Sequence, residues 1–82
     1  LWIVPAKVGG NWRVGENELV LKQQFQMLSG TLGSNQISAG RMRGNDITFT
    51  VGNAVYTGRV DGNSMKGTIK GGSGGTFTAT KN

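Results

Sequence analysis

Short runs in which apolar and polar residues alternate with a period of two recur along this chain, the pattern of strands with one face buried. The clearest is Ile47-Thr48-Phe49-Thr50-Val51. A unit of apolar residue, x, Gly, x, apolar residue recurs at Leu28-Ser29-Gly30-Thr31-Leu32, Tyr56-Thr57-Gly58-Arg59-Val60 and Met65-Lys66-Gly67-Thr68-Ile69, with a looser copy at Ser38-Ala39-Gly40-Arg41-Met42. Its central glycines stand at 30, 40, 58 and 67. Their spacing fits one strand and one turn per unit, with the strand at 47–51 between the second and third. Turn residues separate the runs at Gly44-Asn45-Asp46, Gly52-Asn53 and Asp61-Gly62-Asn63, where Gly and Asn accept a positive φ at little cost.

Upstream, Asn11-Trp12-Arg13-Val14 and residues 18–25 also alternate, on either side of Gly15-Glu16-Asn17. Leu19, Leu21 and Phe25 share one parity and Leu28, Gly30 and Leu32 the other, so the register slips near Gln26-Met27, as a tight turn or a bulge. A last strand is expected at Thr76-Phe77-Thr78-Ala79-Thr80, after the glycine-rich loop 71–75. No window keeps a 3.6-residue period, because glycine or β-branched residues interrupt each one. The expected fold is all-β: a small antiparallel up-and-down meander of seven or eight short strands. Closing into a barrel removes both the exposed sheet edges and the uncovered apolar face that an open sheet of this size would leave. Residues 1–8 read as an N-terminal apolar strand or linker and residues 9–82 as the single barrel domain.

The inward row is expected to hold Gly40, Met42, Gly58, Val60, Met65, Gly67 and Ile69. Inward glycines leave room for Trp12, Phe49 or Tyr56 from neighbouring strands and let the sheet bend. The alternate positions then face water. They carry Arg41, Arg43, Arg59, Lys66 and Lys70 among threonines, whereas Glu16, Asp46 and Asp61 fall in turns and Glu18 near a strand start. That basic face suits a polyanion such as nucleic acid, although Phe49 and Tyr56 share the inward parity and give it no stacking platform. Candidate pocket or core residues are Trp12, Gln23, Phe25, Phe49 and Tyr56. Gln23 shares the parity of Leu19 and Leu21, so its amide needs partners in a structural network or at a pocket floor.

Composition narrows the function classes. The chain has 82 residues, a net charge of +5, 15 Gly, and neither Cys nor His. Disulfides, thiolate metal sites and Ser-His catalysis are thereby excluded. Four scattered carboxylates bring no acid/base pair together, and the loop 71–75 lacks the Gly-Lys-Ser/Thr and the helix of a phosphate-binding loop. No catalytic residue, cofactor or metal is expected. The apolar run Leu1-Trp2-Ile3-Val4 is too short to span a membrane or form a signal core, and no membrane partner is expected. With no targeting signal visible, a cytoplasmic setting is favoured but not fixed. A start at Leu1 without Met suggests a processed chain or a fragment. Residues 1–4 then offer an orphan apolar segment for self-association.

The stretch Val4-Pro5-Ala6-Lys7-Val8-Gly9-Gly10-Asn11-Trp12-Arg13, with Leu19-x-Leu-x-Gln-x-Phe25-Gln26, Leu28-x-Gly-x-Leu32, Gly40-Arg41-Met42-Arg43-Gly44, Tyr56-Thr57-Gly58-Arg59-Val60 and Met65-x-Gly67, resembles the β-rich C-terminal extension that follows the catalytic domain in some bacterial class I S-adenosylmethionine-dependent methyltransferase-like proteins. Lipocalin-like and avidin-like barrels share part of the pattern. The resemblance implies a catalytic domain upstream and a non-catalytic accessory barrel here. It transfers no cofactor residue, because the chain lacks a Gly-x-Gly-x-Gly turn between strand and helix. Three functions therefore stand open: an accessory module of a methyltransferase-like protein, a basic nucleic-acid or polyanion binder, and a lipocalin-like binder of small apolar ligands.

Overall fold

A computed structural model of the protein describes residues 4–72 and 74–82. Nine strands follow in chain order: β1 (Gly10–Val14), β2 (Asn17–Gln24), β3 (Met27–Leu32), the two-residue β4 (Asn35–Gln36), β5 (Ser38–Arg43), β6 (Asp46–Val51), β7 (Ala54–Asp61), β8 (Ser64–Lys70) and β9 (Gly75–Lys81). All pairings are antiparallel. Eight strands form a meander in which β9 returns to β1, Trp12 opposite Lys81 and Val14 opposite Ala79. The ladder thus closes into a barrel, with β4 as one extra strand beside β3. The all-β meander barrel expected from the sequence is the fold observed, and no helix occurs among the described residues.

The inward parity is also as expected. Met42, Val60 and Met65 are buried, joined inside by Trp12, Leu19, Leu21, Ile47, Phe49, Phe77 and Ala79. The Phe49 and Tyr56 rings stack with centroids 4.9 Å apart, and Phe77 meets both edge-on, 6.2 Å from Phe49 and 5.3 Å from Tyr56. Such offset and edge contacts suit the ring quadrupoles. The side chains of the strands themselves thereby fill the interior.

So narrow a barrel closes through close approaches at glycine: Gly30, where a Cβ would overlap the Val20 carbonyl oxygen, and the Gly58–Gly67 pair, which lies directly opposite across β7 and β8. A Cβ on Gly67 would overlap the Thr57 carbonyl oxygen, and one on Gly58 would stand 2.7 Å from the Lys66 carbonyl oxygen and 2.9 Å from Phe77 Cζ. The two backbones therefore approach more closely than any side chain permits, and the Phe77 ring occupies the hollow so formed. At the looser fourth unit the ladder slips between Ser38 and Arg41, where Ala39 takes a φ of 52°. This bulge tucks Gly40 against Leu28. Of the two forms expected for the slip near Gln26-Met27, a tight turn or a bulge, the structure shows the tight turn, Phe25-Gln26, between β2 and β3.

The chain before β1 is not a strand where it is described. Residues 4–9 cross one end of the barrel, and Val8 there is fully buried in the core. Apart from Val4, the apolar run proposed for self-association lies outside the described residues.

Replacing Gly67 by Ala should lower unfolding free energy by about 3 kcal/mol, the upper end for forced overpacking. The outward neighbour Thr68→Ala should change it by less than about 0.5 kcal/mol. Urea unfolding followed by tryptophan fluorescence measures both, and equal small effects would refute the close-approach account.

Candidate functional site

Six two-residue turns join consecutive strands: Gly15-Glu16, Phe25-Gln26, Gly33-Ser34, Gly44-Asn45, Gly52-Asn53 and Gly62-Asn63. In five the first residue is Gly with φ between 58° and 61°. The position favours glycine because a Cβ there crowds the backbone. In the β2–β3 turn the same position holds Phe25, with φ 56°. A bulky residue in this region costs roughly 1–2 kcal/mol, yet its ring repays nothing in the core, being 77% exposed. Of the two places expected for Phe25, pocket or core, the core is thus not the one it takes. The alternation of β2 ends at Gln24, and the turn swings Phe25 outward.

Gln23 explains how the turn is held. Its Oε1 accepts from the Val8 N–H at 2.7 Å, while its Nε2 donates to the Ala6 carbonyl at 2.9 Å and to the Phe25 carbonyl at 2.8 Å. One half-buried amide thus ties the N-terminal segment to the Phe25 turn, the structural network that its parity suggested. Three further bonds complete the junction: Trp12 Nε1–H donates to the Val8 carbonyl at 2.8 Å, Ala6 N–H to the Gly44 carbonyl at 2.8 Å, and Met42 N–H to the Gln26 carbonyl at 2.7 Å. The segment acts as a strap across the end of the barrel that carries the β2–β3 and β5–β6 turns.

Phe25 and Pro5 stand between two concavities on the outside of the barrel. One, of about 980 Å³, is bordered by Arg41 and Arg43 on β5, Asp46 opposite Arg43 on β6, Gln24 and Gln26 at the turn, and Met27 and Thr48. Its volume matches the upper end of ligand clefts, ~300–1,000 Å³. The other, of about 650 Å³, lies between Val4, Lys7, Gln23 and Lys81. Met27 sits opposite Arg41 in the ladder, and Val4 and Met27 are 71% and 57% exposed. An aromatic ring, apolar side chains and four cationic residues thus converge at one end.

All five basic residues singled out from the sequence are exposed, but the barrel does not gather them into one site. Arg43, Asp46, Arg59 and Lys66 form one cross-strand row. Arg41 heads the adjacent outward row, continued by Thr48, Thr57, Thr68 and Thr76. Lys70 lies four residues along β8 from Lys66, roughly 13 Å at strand spacing. Arg59 Nη1 approaches Asp46 Oδ1 at 3.7 Å, both side chains well exposed, in the single ion pair among the described residues. Arg41 and Arg43 have no carboxylate partner there and border the larger groove.

Trp12 and Phe49 are fully buried in the core and Tyr56 is half-buried against Phe49. The sequence pattern missed Lys7, Lys81 and Met27 as neighbours of the basic face, and it denied that face an aromatic that Phe25 supplies. The available signal was the turn series itself, with one phenylalanine where the other turns have glycine. Among the described residues no cluster of acidic side chains could hold a metal. No protein-family model, curated protein or solved structure matches the chain.

Gln23→Leu should release the strap, strand three hydrogen-bonding groups and lower stability by about 2–3 kcal/mol, with a shifted Trp12 emission. Phe25→Gly should act in the opposite direction, raising stability by about 1 kcal/mol as the turn strain is relieved. Thermal and urea unfolding of the two variants check the signs.

Proposed function

We propose that this chain is a non-catalytic binding module that takes a polyanion along its outer surface beside the β2–β3 turn. The observation that carries the reading is the placement of Arg41 and Arg43, exposed and without carboxylate partners among the described residues, on the border of an open groove. Asp46 lines the same groove but is ion-paired with Arg59, and the unpaired guanidinium groups suit phosphate or sulfate oxygens, which they can grip with two parallel hydrogen bonds. Lys7 and Lys81 beyond Phe25 extend the positive track, and the net charge of +5 favours encounter with an anionic polymer.

The resemblance to the C-terminal extension of methyltransferase-like proteins fits this role. An accessory barrel of that kind would hold a polyanionic substrate near a catalytic domain upstream, supplying affinity rather than chemistry. Binding of a small apolar ligand inside the barrel is the weaker reading, because Trp12, Phe49, Tyr56 and Phe77 occupy the space it would need. An external site is the economical alternative.

Titration with heparin, a polyanion that carries no bases, tests the proposal at several salt concentrations. Affinity should fall steeply with salt. The double variant Arg41→Gln, Arg43→Gln should weaken binding about tenfold at low salt, as expected from losing two charge-assisted contacts, and flatten the log–log salt dependence. Absence of binding at low salt, or a double variant indistinguishable from the parent, would overturn it.

A further inference from the structure

From the Phe25 turn we infer a more specific ligand for this surface: a single-stranded nucleic acid, with one base stacked on the Phe25 ring and the phosphates on either side held by Arg41 and Arg43 and by Lys7 and Lys81. The inference rests on the polyanion reading above and narrows it.

Three observations lead here. The first is the exception in the turn series: Phe25 holds the positive-φ position that five other turns give to glycine, and its ring is 77% exposed. Backbone strain maintained where nothing in the core benefits is a mark of a functional position. The second is rigidity. The Phe25 carbonyl accepts from Gln23 Nε2 at 2.8 Å and the Gln26 carbonyl from the Met42 N–H at 2.7 Å, so both carbonyls of the turn residues are anchored and the ring is presented without a mobile loop. The third is position. Phe25 borders both concavities, with arginines on one flank and lysines on the other.

A polymer running from one concavity to the other passes the ring. A flexible strand whose bases are free can place a π-face on it, as single-strand binders do with aromatic side chains set in basic grooves. A duplex keeps its bases stacked internally and offers only its backbone. Gln24 and Gln26 beside the ring carry amides that can donate to and accept from base edges, which a sulfated sugar polymer would not exploit in the same way. A flat lipid surface would meet Phe25 and Val4 but could not follow the groove inward to Thr48.

Fluorescence anisotropy with a labelled oligothymidylate, its duplex form and heparin as competitor tests the inference. The single strand should bind more tightly than the duplex at equal salt. Phe25→Gly and Phe25→Ala should each lower the ratio of single-strand to heparin affinity about tenfold, the scale of one lost base–aromatic stack, while Phe25→Trp should preserve or raise it. The melting temperature of Phe25→Gly, expected at or above that of the parent, shows that any loss is not unfolding. If heparin binds through Arg41 and Arg43 but the Phe25 variants leave the ratio unmoved, or the duplex binds as tightly as the single strand, the stacking inference fails and the polyanion reading survives. If neither heparin nor oligonucleotide binds, the polyanion reading fails and takes the inference with it. If Phe25→Ala abolishes binding only to phosphatidylserine vesicles, the partner is a lipid surface and the inference is overturned.

Discussion

The close approach of β7 and β8 at Gly58 and Gly67 is the constraint from which the rest of the architecture follows. Eight short strands can meet edge to edge only around a narrow interior, and there is no room for a side chain on both sides of every ladder position. Removing two of them lets the backbones pinch and turns the vacated space over to Phe77, whose ring locks against Phe49 and Tyr56. The glycines are individually unfavourable in strands, costing roughly 0.5–1 kcal/mol each. That penalty is offset by the aromatic cluster they admit and by a hydrogen-bond ladder that closes between β1 and β9.

Much of this was legible in the sequence because its physical causes are local. The repeated Gly-centred units, the period-two alternation and the glycine-asparagine turns each specify a strand, a face or a reversal within a few residues. Together they give the meander and the inward placement of Met42, Val60 and Met65. The parity of Gln23 likewise pointed inward, and a half-buried amide with partners from three other residues is what such a position requires. The bulge at Ala39 was not legible. It depends on how β3 and β5 meet after the two-residue β4 intervenes, and that is a property of the assembled ladder.

The strap and Phe25 lay beyond local reasoning for a related cause. Val8 is buried only because the segment crosses the end of a barrel that must first exist, and nothing near Val8 in sequence specifies that crossing. Phe25 was assigned inward by carrying the alternation of Leu19 and Leu21 one step past the end of β2. Parity has meaning only within a strand, and a two-residue reversal resets it. Hydrophobicity favoured the inward assignment, whereas the turn chemistry of the neighbouring hairpins should have pulled against it.

The same glutamine that fixes the turn also fixes the strap, and this joins two features that would otherwise be independent. Ala6 and Val8 are bonded to Gln23, and Gln23 is bonded to the Phe25 carbonyl. Pro5, which borders both concavities with Phe25, is thereby held beside the arginine-bordered groove, and away from the β1–β2 turn that carries Glu16. A module whose interior is filled by its own side chains has only its surface to offer a partner. Anchoring the strap next to the strained aromatic fixes one wall of that surface, so the ring and the groove keep a set relation to each other.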